Sequence, residues 1–193
     1  NRYVATVAYA QEQFDRGALH MLAGLRFSSI DVTDQNPIFL IDNTSTNRKM
    51  TPRVGAVVDL SPKASVFVGF NSGMKVPTGS IFSTPPKPEE SSQVEVGVRT
   101  RALAGLTATV AWFDLTRRNV AIADIAHPGF AVQAGEQRSR GVDADVRWQP
   151  YAGWTFVGAL TRQNPEIVQA ASALLEGTQL FNVPKVSARI AGR

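Results

Sequence analysis

The stretch Ser139–Trp148, with the sequence SRGVDADVRW, decides the fold class of this chain. From Val142 onward, apolar residues occupy every second position and alternate with charged ones. Successive side chains of a β-strand point to opposite faces, so this stretch predicts a strand with one apolar and one charged face. Two architectures satisfy both faces: a soluble sandwich with a packed inner face, or a membrane barrel with lipid outside and water inside.

The same alternation recurs along the chain, for example over 19–28, 53–60, 93–101 and 185–190. It predicts about nine strands, most of them roughly 10 to 13 residues long. Strands of soluble proteins usually have about 5 or 6 residues, whereas a tilted membrane-spanning strand needs about 9 to 11. Strand length therefore favours the barrel.

The connections between these strands alternate between short and long. The short, turn-forming links are 15–17, 61–63, 104–105 and 150–153, and the long ones run roughly over 31–48, 77–90, 119–134 and 164–181. Outer-membrane barrels have short periplasmic turns and longer extracellular loops. We therefore predict an all-β chain that forms an incomplete arc of an antiparallel transmembrane β-barrel.

The last long link carries a helix signal. Asn164 can cap a helix, Pro165 suits its first turn, and Glu166 favours the positive end of the helix dipole. Apolar residues then recur at helical spacing until Gly177. This pattern predicts a short helix that packs on neighbouring loops or docks a partner.

Composition excludes several classes of function. The chain has 193 residues, 44% of them hydrophobic, a net charge of +4 and no cysteine. Its basic residues are scattered at strand spacing, so we expect no nucleic-acid partner. The two histidines stand apart and no Cys/His cluster occurs, so we predict no catalytic residues, no metal site, no cofactor and no enzyme activity.

Both ends of the chain fall within predicted strands, and no signal peptide precedes the first one. Unpaired strand edges cannot lie in lipid. We therefore expect the chain to be an internal part of a larger barrel.

Several segments, in order, resemble TonB-dependent siderophore receptors. Met21–Phe27 is similar to the family's "LLAGLRY" strand, and Thr51–Gly55 matches its "TPRVG" start. Further similar segments are Phe70–Pro77, Lys87–Glu89, Ser92–Gly97, Trp112–Thr116 with Asn119–Val120, Gly135–Val142 and Asn182–Pro184. The chain departs from the family at Met74, where an aromatic residue is usual, and at Val94, which replaces Tyr.

The resemblance implies an outer-membrane barrel of about 22 strands that encloses an N-terminal plug domain. Residues 1–193 would then be a partial barrel domain without the plug, the first strands and the last strands. Such receptors bind a ferric siderophore and import it with energy from the TonB–ExbB–ExbD complex. The expected partners are therefore the siderophore, the plug, this complex and membrane lipid, and the expected location is the bacterial outer membrane.

Strand parity predicts which polar residues face the barrel lumen, where they would form cross-strand ion pairs or contact the plug. They are Arg53, Asp59, Glu95, Arg99, Arg101, Asp143, Asp145, Arg147 and Arg189. Ferric chelates are often anionic, so Arg138 and Arg140 near a loop are candidate ligand contacts. Three aromatic residues in long loops could stack on the chelate or pack loop against loop: Phe39, Phe82 and Phe130.

Tyr151, Trp154 and Trp148 are expected in the periplasmic aromatic girdle. Two alternatives to the receptor stay open at this point. A passive porin-like channel would share the barrel but lack a plug. A soluble β-sandwich binding module would keep its alternating apolar side chains away from lipid.

Overall fold

The computed structural model describes residues 2–36, 41–77, 86–101, 103–123, 127–170 and 172–193. Within these residues, nine strands form one sheet in which every strand pairs with its sequence neighbours. The strands are β1 (Arg2–Arg16), β2 (Leu19–Asn36), β3 (Ile41–Ser61), β4 (Ala64–Lys75), β5 (Glu89–Thr100), β6 (Leu106–Ala123), β7 (Ala131–Trp148), β8 (Phe156–Gln169) and β9 (Val186–Gly192). All pairs are antiparallel, which confirms the predicted arc.

The short links all lie at one edge of the sheet, because the strands alternate in direction. Glycine makes the turn between β5 and β6 possible: Gly105 has a φ of +71°, and a Cβ there would lie 2.1 Å from the Gln149 carbonyl oxygen. The amide of Gln149 donates to the Gly105 carbonyl over 2.8 Å, which ties this turn to the next hairpin. The turn edge is thus compact.

Two of the predicted long loops are largely strand, which corrects the sequence analysis. The β2–β3 ladder continues to the pair Asn36–Ile41, and the β6–β7 ladder continues to Ala123–Ala131. The β2–β3 extension contains many Thr, Asn, Ser and Gln residues, whereas the β6–β7 extension is mostly Ala, Val and Ile, so apolar and polar residues alternate in neither. Backbone hydrogen bonds hold them in register instead.

The helix predicted after Asn164 is wrong. β8 continues through Pro165 to Gln169, and only a short 3-10 turn, Ala173–Leu175, follows. The first half of β7 forms backbone ladder pairs with this segment, including the pair Arg138–Glu166. Proline is tolerated because the chain beyond it is irregular on the β9 side, where the Leu180 amide donates to the Pro165 carbonyl. Among the described residues, no helix has the length and apolar character to cross a membrane.

The sheet is a single layer and not half of a sandwich. Its accessible surface is 12830 Å², whereas a compact monomer of this mass exposes about 9000 Å². The apolar residues buried among the described positions are Val32, Val76, Ala111, Phe113 and Val120. The soluble-sandwich alternative needs two packed sheets, so the single nine-stranded sheet contradicts it.

Candidate functional site

The two faces of the sheet differ in how tightly their side chains are packed. On β6, Ala111 and Phe113 are 4% and 7% exposed, while Val110 and Trp112 are 45% and 44% exposed. A curved sheet crowds side chains on its concave side, so the Phe113 face is the inner one. We call it the lumen face, and we call the opposite face, with Val110 and Trp112, the outer face.

An open cavity of about 370 Å³ lies on the lumen face over β2–β5. Three of the residues predicted to face the lumen line it, namely Arg53, Glu95 and Arg99. Asn71 joins them because it is the direct ladder partner of Arg53. The structure therefore brings together groups that the sequence places far apart, and the cavity offers both charges and an amide.

At the end of this cavity nearest the turns, His20 bridges two carboxylates. Its Nδ1 lies 2.6 Å from Asp15 Oδ1, and its Nε2 lies 3.2 Å from Asp59 Oδ2. Asp59 was predicted to face the lumen, and this bridge gives it a cross-strand partner. Arg101 follows the end of β5, where its amide donates to the Lys63 carbonyl over 2.7 Å, so it belongs to the turn edge.

A second cavity of about 270 Å³ lies on the lumen face over β6–β9. Asp145, Arg147 and Arg189 line it, together with Thr107 and Thr109. Asp145 and Arg189 both flank Ala159 in the ladder, one on each side. These three predicted lumen residues therefore form a second polar patch.

Asp143 occupies the lumen face directly beside this patch. Its Oδ1 atom is buried and has no hydrogen-bond partner among the described residues. A buried carboxylate oxygen without a partner is costly.

Farther from the turns, the lumen face carries a charged group that sequence reasoning missed. Arg117 donates to Glu89 Oε1 from Nε over 2.9 Å and from Nη2 over 2.6 Å, and from Nη1 to Gln137 Oε1 over 3.2 Å. The side chain of Arg117 is 40% exposed and that of Glu89 is 14% exposed. Following the alternation of β5 from Glu95 through Gln93 to Glu89 would have placed Glu89 on the lumen face.

The chain before β5 is fixed to the β6–β7 hairpin. The Lys87 amide donates to Gln133 Oε1 over 2.6 Å, and Gln133 Nε2 donates to the Lys87 carbonyl over 2.5 Å. Asn119 Nδ2 donates to the Pro88 carbonyl over 3.0 Å. These contacts hold the start of β5, and with it Glu89, in a defined position.

Arg138 and Arg140, predicted as ligand contacts, lie on the outer face. They share the parity of Val142, and both bind Asp114. No ligand contact follows from this position, because the sheet separates these side chains from the lumen cavities. Their assignment as ligand contacts stays a prediction.

Of the three aromatic residues predicted in loops, only Phe130 lies among the described residues. Phe39 and Phe82 lie outside the described residues. Phe130 is half-buried at the start of β7, where its amide donates to the His127 carbonyl over 3.1 Å. Stacking of these rings on a chelate stays a prediction.

The aromatic residues at the turn edge form a cluster. The rings of Trp148 and Phe156 have centroids 5.8 Å apart, and those of Trp154 and Phe156 are 6.1 Å apart. Tyr151 is 76% exposed in the adjoining turn. Exposed aromatic rings at one end of a strand are typical of a membrane–water interface. In the described part of the chain, no group of three or more His, Cys, Asp or Glu residues could hold a metal ion.

Comparison with protein families gives a match over the whole chain. The family model described as "TonB dependent receptor-like, beta-barrel" matches residues 1–193. The metal-pseudopaline receptor CntO of Pseudomonas aeruginosa (strain UCBPP-PA14) is 31% identical over 179 residues, which are 89% of this chain and 25% of the relative. This match confirms the resemblance drawn from the motifs.

A second relative and a solved structure agree with this match. The ferrichrome outer membrane transporter/phage receptor of Escherichia coli (strain K12) is 26% identical over 96% of this chain and 25% of its own length. The crystal structure of the siderophore receptor PiuA from Acinetobacter baumannii superposes with a TM-score of 0.82, at 16% identity, over 98% of this chain and 31% of that one. These proteins are receptors and transporters rather than enzymes, and the predicted outer-membrane location is confirmed.

Proposed function

We propose a function from the fact that the chain belongs to the TonB dependent receptor-like β-barrel family. The chain is part of the wall of an outer-membrane receptor that imports a ferric siderophore or a similar metal chelate. The chain spans about a quarter of the length of the curated relatives it matches. The activity belongs to the whole protein, so the proposal concerns what this part of the wall contributes.

The contrast between the two faces carries the proposal. One face exposes apolar residues such as Val96, Val142 and Leu160, which suits lipid. The other holds two cavities to which charged side chains contribute, and the Arg117–Glu89 pair. A polar inner wall supports the passage of a large hydrophilic cargo through a lipid bilayer.

Arg117 is the residue of this wall that best suits an anionic chelate. It lies on the lumen face away from the turns, so it is near the extracellular side if the short links are periplasmic. Glu89 and Gln137 fix its guanidinium group, and 40% of the side chain stays exposed. A fixed, partly exposed guanidinium suits a carboxylate or another oxygen anion.

The unpartnered oxygen of Asp143 supports contact with a plug domain. A lysine or arginine of the plug would pair with the Asp143 carboxylate and compensate the cost of its partial burial. Asp145, Arg147 and Arg189 line the adjoining cavity and offer further hydrogen-bonding groups to the same partner. The plug itself is what the family resemblance implies.

The first experiment distinguishes a receptor from a porin-like channel. The whole protein is expressed in cells that lack other ferric-siderophore receptors, with and without a functional TonB, and uptake of a radiolabelled ferric siderophore is measured. We expect saturable uptake that depends on TonB. Uptake that persists without TonB and rises linearly with concentration would support the passive channel.

A matched pair of variants tests the role of Arg117 in the same assay. Arg117→Met removes the lumen-facing guanidinium, and Arg118→Met removes its sequence neighbour on the outer face, where it binds Glu136. We expect about a tenfold weaker apparent affinity for an anionic chelate in Arg117→Met, since one charge-assisted contact is lost. Equal effects of the two variants would contradict the proposal.

A further pair tests the plug contact of Asp143. Asp143→Asn keeps the size of the side chain and removes its charge, and Glu12→Gln makes the same change on the outer face of β1. In the whole protein, we expect the plug to unfold at lower denaturant concentration in Asp143→Asn only. An unchanged plug transition would argue that Asp143 does not contact the plug.

A further inference from the structure

The segment before β5 is held by side chains rather than by the backbone ladder of the sheet. Among the described residues, the ladder between β5 and β6 ends at the pair Glu90–Arg118. The next residue of β6, Asn119, has a φ of +55°, and the β6–β7 register shifts on both sides of Val120. This irregularity is a β-bulge, which bends its strand and re-aims the neighbouring side chains. The residues before Glu89 therefore lie beyond the end of this ladder.

Two side-chain amides bind the chain where the ladder ends. Asn119 Nδ2 donates to the Pro88 carbonyl over 3.0 Å. The amide of Gln133 accepts from the Lys87 N–H over 2.6 Å and donates to the Lys87 carbonyl over 2.5 Å. A residue of an antiparallel strand offers its partner the same two bonds, one accepted and one donated. We call Gln133 and Asn119 the amide clamp, and it extends the attachment of β5 by two residues.

The clamp has a firm base on β6 and β7. Gln133 Nε2 also donates to the Asn119 carbonyl over 3.1 Å, so both N–H groups of this amide are used. Gln133 lies in β7 opposite Ala121 of β6, and the preceding Val120 is 7% exposed. The β6–β7 hairpin therefore fixes the amide that holds Lys87.

The clamp stands directly before the ion pair on the lumen face. Glu89 follows Pro88 in the chain, and its Oε1 accepts from both Nε and Nη2 of Arg117. The Glu89 side chain is 14% exposed, whereas that of Arg117 is 40% exposed. A shift of the backbone at Pro88 would move the carboxylate that orients the guanidinium group. A binding group is precise only when the residues that support it are fixed as well.

We propose that Gln133 is a positioning residue: its amide fixes the segment before β5, so that Glu89 holds the Arg117 guanidinium in the orientation that an anionic chelate requires. This inference rests on the proposed role of Arg117 and identifies what prepares that residue. A guanidinium group that is already oriented loses less conformational freedom when it binds a carboxylate. Loss of the clamp should therefore weaken the binding of an anionic chelate, although Gln133 carries no charge.

The first test observes the arginine without any chelate. The whole protein in detergent micelles is treated with phenylglyoxal, which modifies accessible guanidinium groups, and fragment-ion mass spectrometry separates Arg117 from Arg118. Gln133→Met removes all three bonds of the amide at a similar side-chain length. Gln163→Met is the matched control on β8, because Gln163 likewise accepts one bond, from a serine hydroxyl over 2.8 Å, and donates to a proline carbonyl over 3.1 Å.

We expect Arg117 to react about fivefold faster in Gln133→Met, the factor that corresponds to about one net hydrogen bond. Arg118 in the same variant, and Arg117 in Gln163→Met, should react at the native rates. An unchanged rate of Arg117 in Gln133→Met would overturn the proposal, as would equal acceleration in both variants.

A second variant covers the case that Gln133→Met does not fold, which heat-dependent gel mobility would show. Asn119→Gly removes the other member of the clamp, and glycine adopts the positive φ of this position without strain. Arg117 should react faster in this variant too, by a smaller factor, because only the bond to Pro88 is lost. A native rate of Arg117 in Asn119→Gly would then contradict the proposal.

The last test asks whether Gln133 acts through Arg117. Uptake of radiolabelled ferric citrate, an anionic carboxylate chelate, is measured in cells with Gln133→Met, Arg117→Met or both changes. We expect Gln133→Met to weaken the apparent affinity about fivefold at an unchanged maximal rate. In the Arg117→Met background it should have no further effect, because residues that act as one unit are not additive.

Additive losses in the double variant would overturn the positioning role. If Arg117→Met leaves the uptake of ferric citrate unchanged, the proposed function of Arg117 fails, whereas the phenylglyoxal rates still decide whether Gln133 positions it. The two failures are therefore distinguishable.

Discussion

The outer and lumen faces are built from the same strands, yet they use different interactions. On the outer face, Val96 and Trp112 are ladder partners whose exposed side chains face lipid. On the lumen face, Glu95 pairs with the buried Phe113, and polar groups meet in cavities. The difference shows that position in the alternation decides the environment of a residue, and that neighbours in sequence experience different solvents.

The largest effect should come from placing a charge on the outer face. Val96→Arg puts a guanidinium in the apolar band between Val68 and Trp112, and should lower the free energy of unfolding by about 2–4 kcal/mol. Gln93→Arg puts the same group on the lumen face of the same strand and should cost less than about 1 kcal/mol. Denaturant titration of the whole protein in lipid vesicles measures both. Equal losses would show that the two faces are assigned incorrectly.

Crowding on the lumen face can be tested by replacing two glycines with alanine. A Cβ at Gly97 would lie 2.5 Å from Phe67 Cζ and 2.6 Å from the Val110 carbonyl oxygen, so Gly97→Ala should destabilise the protein by about 1–3 kcal/mol. Gly55 faces the same lumen, but a Cβ there would meet only the Val68 carbonyl oxygen, at 3.5 Å. Gly55→Ala should therefore leave the unfolding transition nearly unchanged. If both variants behaved alike, the close approach of Phe67 would have no energetic importance.

Two neighbouring arginines compare ion pairs on the two faces. Arg117 binds Glu89, whose side chain is 14% exposed, whereas the Arg118 side chain that binds Glu136 is 60% exposed. Arg117→Met should cost about 1 kcal/mol of unfolding free energy, and Arg118→Met less than about 0.5 kcal/mol, because exposed pairs are screened by water. The same vesicle titration gives both values. A larger loss for Arg118→Met would reverse the proposed order.

Spin labels sharpen the comparison with little perturbation. Labels at Val142, Ala144 and Val146 should be accessible to a lipid-soluble quencher, and labels at Asp143 and Asp145 to a water-soluble one. A label at Arg140 should respond to both quenchers, since it lies at the edge of the apolar band. Accessibility without this alternation would contradict the assigned orientation of β7.

Some of the site could be predicted from the sequence, and the limits have physical causes. The parity of 142–148 predicts both faces, since a strand has a period of two residues. The same parity extends to Arg138 and Arg140 and would have placed them on the outer face, but their nearness to a loop favoured a ligand role. Arg117 was missed because its partner Glu89 is distant in sequence and only the ladder brings them together.

The sequence by itself determined the strand type, the turn edge and the family, because hydrophobic alternation, glycine turns and short motifs are local properties. The tertiary structure decided how far the ladders extend and which charges meet. Pro165 illustrates this. Its local sequence favours the start of a helix, but the first half of β7 supplies backbone partners that hold it in β8. Asp114 shows it again, since it binds Arg138 and Arg140 across a hairpin whose register local sequence does not encode.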